Sequence, residues 1–252
     1  MMTYLKRRIG DMLTSRLLHK LVVKPAINNG FLLTDTGSIC VRDQSPYLQS
    51  LIYWKLYERS EVKLIKRFLK QNVPVIEFGA SLGMTSASIC TTLNKTVRVI
   101  SVEANPKLFY NLTETKNRNG FDNLQLICAA VDYSGEPSIS FMLDESNLGS
   151  HKGISENSVQ VPAVELNRIV KENQLKHFAL VCDIEGAELE LFINETNTQV
   201  IEACTQIIIE LHPAEYNGKK YVRSEINDII LEKFKMRTIY TDGKTWVYEK
   251  KK

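Results

Sequence analysis

The chain has 252 residues, 44% of them hydrophobic and 24% charged, with a formal net charge of +3. That length suits one large α/β domain with a small appendage, and so slight a charge excludes nucleic acid as an expected partner. Five scattered cysteines (Cys40, Cys90, Cys128, Cys182, Cys204) form no C-x-x-C pair and four histidines (His19, His151, His177, His212) show no H-x-x-x-H spacing, so neither a disulfide framework nor a transition-metal site is expected.

No segment approaches roughly 18 consecutive apolar residues, and the basic N-terminus lacks the apolar core and cleavage site of a signal peptide. The expected location is therefore cytoplasmic. Residues 1 to 24 read as an amphipathic helix: Leu5, Ile9, Met12, Leu13, Leu17 and Leu21 recur at helical spacing, with Lys6, Arg7, Arg8, Arg16 and Lys20 over the rest of the surface. Such a helix docks on the main domain or on a second subunit of a homodimer. The alternative is a peripheral contact with anionic lipid at the inner face of the membrane. Pro25 and Asn28-Asn29-Gly30 are expected to end it.

Phe31–Leu33 and Ser38–Val41, joined through Gly37, read as a β-hairpin. Ser45 and Pro46 then form a helix start, as N-cap and first helical residue, and a break near Arg59-Ser60-Glu61 divides the following helical stretch in two. Residues 1–50 are thus expected to be an N-terminal helix and hairpin extension, and residues 51–252 the main domain.

From Val73 strands and helices alternate. Strand Val75–Phe78 precedes helix Met84–Leu93, strand Val97–Val102 precedes helix Pro106–Arg118, and strand Leu124–Val131 follows. That rhythm implies right-handed crossovers and a mostly parallel sheet. Ser138–Leu143 and Val159–Val164 flank a long polar loop, Asp144–Asn157, which carries His151 and is expected to face the substrate as a lid. Helix Glu165–Glu172, strand Phe178–Ile184, helix Gly186–Ile193, strand Gln206–Leu211 and helix Arg223–Phe234 continue the pattern. Met236–Tyr240 and Thr245–Tyr248 close it as a hairpin through Asp242-Gly243, which adds an antiparallel strand to the sheet.

Four strands end in acidic residues. Glu77 stands in the first, before Gly79-Ala80-Ser81-Leu82-Gly83-Met84-Thr85, where glycine lets the backbone approach a ligand and the next helix offers its N–H groups. G-x-x-x-G has fewer glycines than the dinucleotide fingerprint and no lysine, which suits a ligand with a carboxylate and no phosphate. Glu103, in Val102-Glu103-Ala104-Asn105-Pro106, lies 20 residues beyond Gly83, about the distance at which such folds place an acid for ribose hydroxyls. Asp183 and Glu185 follow a third strand two residues apart, so their side chains point the same way, and mutual repulsion raises one pKa. Glu210 and His212 share a side at the end of the fourth.

Together these segments resemble the motifs of class I S-adenosylmethionine-dependent methyltransferases. More specifically, Asp183-Ile184-Glu185-Gly186-Ala187-Glu188 and Glu210-Leu211-His212-Pro213 resemble the FkbM-type methyltransferases. The resemblance covers about residues 55 to 215. Glu77 stands where that family has Asp, Ser81 where it has Asn, and Val164-Glu165-Leu166-Asn167 replaces its Thr-Leu-Asp. It implies a Rossmann-like, mostly parallel seven-stranded sheet with an antiparallel C-terminal strand. It further implies S-adenosyl-L-methionine as cofactor, S-adenosyl-L-homocysteine as product, and cofactor contacts at Glu77, Gly79, Ala80, Ser81, Gly83, Thr85, Glu103, Ala104, Asn105, Ala130 and Asp183. The acceptor, a small molecule or glycan, is expected to meet Glu58, His151, Glu185 and His212.

Methyl transfer to a hydroxyl needs a base, and His212 or Asp183 is expected to supply it, with Glu185 and Glu210 orienting acceptor or base. No metal is assigned; a divalent ion bridging Asp183 and another acid is the variant ranked below the metal-free one. The expected activity is O-methylation of a carbohydrate, as a nucleotide sugar or surface glycan. The competing readings are O-methylation of another natural product, an NAD-dependent sugar-modifying oxidoreductase, and a non-catalytic cofactor-binding scaffold.

Overall fold

The computed structural model describes residues 10–143, 151–152 and 158–251. A seven-stranded sheet forms the centre, from β3 (Val75–Phe78), β4 (Val99–Glu103), β5 (Leu124–Cys128), β10 (Phe178–Cys182), β11 (Cys204–Glu210), β14 (Met236–Thr241) and β15 (Thr245–Lys250). Their order is β14-β15-β11-β10-β3-β4-β5. Neighbours are parallel from β11 to β5, and β15 runs antiparallel to both β11 and β14. The mostly parallel α/β sheet with an antiparallel strand near its C-terminal end is as the alternation implied.

The strands are apolar on both faces because helices cover both. Ile76, Phe78, Ile100, Val102, Leu180, Ile207 and Ile209 face α5 (Leu166–Glu172), α6 (Glu188–Asn194), α7 (Thr198–Ala203) and α8 (Arg223–Lys233). Val75, Val99, Ala179, Val181 and Ile208 face α2 (Arg59–Phe68) and α3 (Met84–Thr92). Helix α4 (Pro106–Asn119) begins at Asn105, whose side chain accepts from the Lys107 N–H.

The expected strand Leu124–Val131 is interrupted. After β5, β6 (Ala130–Val131) leaves the main sheet to pair with β9 (Ser158–Val164), in a second sheet with β7 (Ser138–Met142) and β8 (His151–Lys152). The rest of the expected 144–157 lid lies outside the described residues. Helix α7 and a small hairpin, β12 (Ala214–Tyr216) with β13 (Lys219–Tyr221), were not anticipated. Both are too short to show a hydrophobic period.

The first hairpin is β1 (Phe31–Leu33) with β2 (Ser38–Cys40), followed by α1 (Pro46–Tyr53), capped by Ser45. The break after α1 falls at 54–58, ahead of Arg59. Leu32, Ile39, Leu48 and Ile52 share one cluster with Leu82, Met84 and Leu108, so the hairpin packs on α3 and α4.

The N-terminal segment differs most from expectation. It breaks at Thr14-Ser15, where Ser15 caps a new helix, and then runs helical from Arg16 through Ala26, so Pro25 does not end it, and His19–Val23 is a π-helical turn. That extra residue per turn rotates the pattern. Val23 and His19 face inward; His19 Nε2 lies 2.8 Å from Gln49 Oε1, and Trp54 Nε1 donates to the Leu13 carbonyl. Met12, Leu17 and Leu21 face outward instead of joining the buried face. Leu5 and Ile9 lie outside the described residues.

Close contact between the tips of β3 and β10 depends on Gly79. At φ +84°, a Cβ there would lie 1.7 Å from the Asp183 carbonyl oxygen. Gly79→Ala should therefore cost about 1–3 kcal/mol or more in urea unfolding, with the loss spreading to ligand affinity because both tips line the cavity described next.

Candidate active site

A cavity of about 460 Å³ opens at the carboxyl ends of β3, β4 and β10, within the range of roughly 300–1,000 Å³ usual for small-molecule sites. Its position follows from the sheet: β10 and β4 flank β3, and their following loops diverge there. The flanking backbone is left-handed at Glu58 (φ 47°), Gly79, Ser81 (φ 49°), Glu185 (φ 50°) and Gly186 (φ 101°). Non-glycine residues held there cost energy and cluster at functional sites.

Of the expected cofactor contacts, Gly79, Ser81, Glu103, Ala104, Ala130 and Asp183 line the cavity. Glu103 is the best organised. Its Oε2 accepts from the Ser81 N–H and its Oε1 from the Asn105 N–H, both at 2.7 Å, which fixes the carboxylate and leaves each oxygen a further lone pair. Burial pushes its pKa up to about 7 against the pull of those amides. Tyr57 closes the same end, its hydroxyl 2.7 Å from Ser81 Oγ.

Glu77, Ala80, Gly83, Thr85 and Asn105 do not line it. Glu77 stands one residue out of phase with Ile76 and Phe78, so its side chain lies on the sheet face beneath α3, 1% exposed. There its Oε2 accepts from Ser86 Oγ and Ser101 Oγ. It ties β3, β4 and α3 together and makes no contact with the cavity. Asn105 caps α4, Gly83 packs against Leu112 and Thr115, and the Thr85 N–H donates to Glu58 Oε2 at 3.3 Å. Glu58 thus takes one of the first-turn N–H groups of α3.

Glu58 and Glu185 line the cavity, as expected of acceptor contacts. The side chain of His151 lies outside the described residues. His212 does not line the cavity, although Pro213, Ala214 and Glu215 after it do. Its Nδ1 lies 3.1 Å from Glu188 Oε1 and 4.0 Å from Asp183 Oδ1, and its Nε2 lies 3.3 Å from Glu210 Oε1 and 3.5 Å from Glu185 Oε2. Burial opposes its charge, but hydrogen bonds to Glu188 and Glu210 and the charge of Asp183 outweigh that and raise its pKa to about 10. A histidine held as imidazolium between four acids has no free lone pair with which to take a proton. The structure thus places His212, one of the two expected bases, outside the cavity lining and among four carboxylates.

Asp183 has the opposite character. It lines the cavity, and its Oδ1 makes no hydrogen bond. Burial, then Glu210 and Glu185, hold its carboxyl well above the usual range, with His212 pulling it back. Glu210 is turned away from the cavity. Burial would raise it, but hydrogen bonds with His212, Glu61 and Lys244 hold it at about 2.

The sequence reading gave no role to Glu188, which is 0% exposed. Its Oε1 accepts from the Ile184 N–H at 3.0 Å and its Oε2 from the Gly186 N–H at 2.9 Å, in addition to the His212 contact. An acid in the first turn of a helix, two and four residues after a strand-end loop, was the available signal. Asp183, Glu188 and His212 offer donor atoms within 4.8 Å of one another, but those of Glu188 and His212 are engaged in this network, which reads as an ion-pair cluster. Glu190 and Glu215 also line the cavity and were not singled out.

The model of the methyltransferase FkbM domain family matches residues 77–237. No curated protein matches the chain. Among solved structures, the chain is similar to an S-adenosylmethionine-dependent methyltransferase from Aquifex aeolicus, at 14% identity over 79% of this chain and 95% of the other, TM-score 0.42. It is similar to fibrillarin from Aeropyrum pernix, solved with bound S-adenosyl-L-methionine, at 10% identity over 75% and 72%, TM-score 0.45. It is also similar to an rRNA methylase from Streptococcus thermophilus, at 7% identity over 77% and 96%, TM-score 0.45.

The raised pKa of His212 has a signed consequence. The native state binds that proton more tightly than the unfolded chain, so the contribution is complete below about pH 6.5 and is lost as pH rises through about 10. Urea unfolding between those values should show wild-type stability falling by up to about 1.4 kcal/mol per pH unit, and His212→Gln should flatten that slope.

Proposed function

The chain belongs to the FkbM family of S-adenosylmethionine-dependent methyltransferases, and from that premise we propose that it methylates a hydroxyl group of an uncharged carbohydrate. The observation that carries this reading is the lining: Glu58, Glu103, Asp183, Glu185, Glu190 and Glu215 with no Lys, Arg or His among the described lining residues. Six carboxyl groups repel phosphate and accept hydrogen bonds from hydroxyls. That favours the glycan among the expected acceptors over a nucleotide sugar, whose diphosphate would meet no cation there. It also disfavours an NAD-dependent oxidoreductase.

The same lining fits the cofactor. Glu103, fixed by two amides, suits a ribose diol; Ala104, Leu108, Ala129 and Ala130 offer an apolar wall of the kind an adenine ring needs; Glu58 and Asp183 suit cationic groups. Bound there, S-adenosylmethionine would supply an electrophilic methyl group on a sulfonium. The chain supplies alignment and a base. Asp183 is that base: its carboxylate takes the acceptor proton on the oxygen open to the main cavity, Oδ2, as the C–O bond forms and the C–S bond breaks. A positive charge in the cavity favours its ionised form, and loss of that charge on transfer raises its pKa again, so the proton it has taken is held. Glu185 and Glu215 orient the acceptor, and His212 holds the carboxylates in place.

Isothermal titration should detect S-adenosylmethionine and not NADH, and Glu103→Ala should weaken that binding by about 1.5–3 kcal/mol. With methyl-labelled cofactor, label should pass to neutral glycans in preference to nucleotide sugars. Asp183→Asn should weaken cofactor binding, and at saturating cofactor should still lose about 10²–10⁴ in kcat. Unchanged turnover in Asp183→Asn would remove this base assignment.

A further inference from the structure

Behind the main cavity, between β3, β10, β11 and the start of β15, lies a second and much smaller one of about 10 Å³. That is room for about one water molecule. Glu61, Glu77, Asp183 and Thr245 line it, and each has a buried oxygen without a hydrogen-bond partner among the described residues: Glu61 Oε1, Glu77 Oε1, Asp183 Oδ1 and Thr245 Oγ1. Three of these side chains are almost wholly buried, with Glu61 6%, Glu77 1% and Thr245 1% exposed. Unmet oxygens converging on one cavity are costly unless something bridges them. Asp183 lines both cavities, so it is the link between the acceptor and this space.

On the far side the contacts continue to the surface. Glu61 hydrogen-bonds Glu210, and Glu210 Oε1 meets the Nζ of Lys244, whose side chain is 63% exposed. We propose that one ordered water in the small cavity bridges Asp183 Oδ1, Glu61 Oε1 and Thr245 Oγ1, and that the acceptor's proton leaves along Asp183, this water, Glu61 and Glu210 to solvent beside Lys244. The proposal rests on the methyl-transfer reading above, in which each turnover releases one proton. Protons balance at every step: Asp183 gives one to the water, the water one to Glu61, Glu61 one to Glu210, and Glu210 one to bulk water. The groups facing the route are Glu58, Glu77, His212 and Lys244. Burial and its bond to Glu210 raise Glu61 to about 7, so Glu61 is where the proton rests near neutral pH; Glu210, held at about 2, carries it only in passing, and the Glu61-to-Glu210 transfer is the uphill step of the route.

Glu61→Gln tests it. The expected result is a kcat lower by about tenfold or more, KM for both substrates near wild type, and recovery of kcat in imidazole buffer, which carries protons in place of the missing carboxylate. A high-resolution crystal structure of the wild type should show a water hydrogen-bonded to Asp183 Oδ1 and Glu61 Oε1. Wild-type turnover in Glu61→Gln, a loss that imidazole does not relieve, or a cation at metal–oxygen distances in that cavity would overturn the route. If the wild type transfers methyl groups to no hydroxyl, the functional reading itself fails, a different result from a functional wild type with an indifferent Glu61→Gln.

A separate observation concerns the N-terminal segment. Six of the 32 Lys and Arg residues, and one of the 29 Asp and Glu, fall in residues 1–26. On the outward side Met12 (60% exposed), Leu17 (69%) and Leu21 (64%) stand among exposed Arg16, Lys20 and Lys24. Apolar side chains presented to solvent between basic ones suit an anionic lipid surface on both counts. We infer that this face docks the enzyme on anionic membranes. The full chain should co-sediment with vesicles containing about a third phosphatidylglycerol and not with phosphatidylcholine alone. L17S/L21S should weaken that partition by about tenfold with an unchanged melting temperature. Equal partition to both vesicles, or a dimer in light scattering that L17S/L21S dissociates, would overturn it.

Discussion

One buried carboxylate organises the functional end of this molecule. Glu188 has no exposed surface, yet its two oxygens hold the backbone of Ile184 and Gly186 and the imidazole of His212. It therefore ties the loop after β10 to the end of β11 and sets the directions of Asp183 and Glu185 between them. A buried charge is tolerated only when paired and hydrogen-bonded; here the partner is an imidazolium, which the same geometry keeps protonated. Removing either group would leave the other desolvated and uncompensated.

The negative charge at this sheet edge has a consistent division of labour. On the interior side, Glu188 and one oxygen of Glu77 bind the hydroxyls, amides and histidine that hold strands and helices together. Four of the six that line the cavity, Glu58, Glu103, Asp183 and Glu185, are held above the usual carboxylate range, chiefly by burial. A site of that kind is completed by a cation and by hydroxyl groups, and it is hostile to phosphate. Glu61, Glu210 and Lys244 continue the chain of ionisable groups outward and connect the desolvated interior with water.

Much of this was legible in the residues. Apolar strands ending in Glu103, Asp183 and Glu210 placed the site, because a parallel sheet brings its carboxyl ends together whatever the loops do. The closing Asp242-Gly243 hairpin located the antiparallel strand for an equally local reason. What could not be read depended on phase or on distant partners. Glu77 looked like a ligand contact, but in a strand whose even residues face one side it is turned beneath α3. A break at Thr14-Ser15 and the π-helical turn at His19–Val23 interrupt the expected repeat, leaving Met12, Leu17 and Leu21 outside the buried face, and nothing in a 3.6-residue repeat signals either interruption. That four carboxylates surround His212 could not be read either, because they come from two strand ends and a helix. Only the fold shows that they close on it together.

The central claim is that His212 serves as a fixed imidazolium and leaves proton transfer to Asp183. Nitrogen-15 NMR of the imidazole in the native protein at pH 8 tests it most directly. The account predicts both ring nitrogens protonated at that pH, with titration near pH 10. A neutral imidazole at pH 8, with one nitrogen unprotonated and a titration near pH 6.5, would contradict it and return His212 to the role of base.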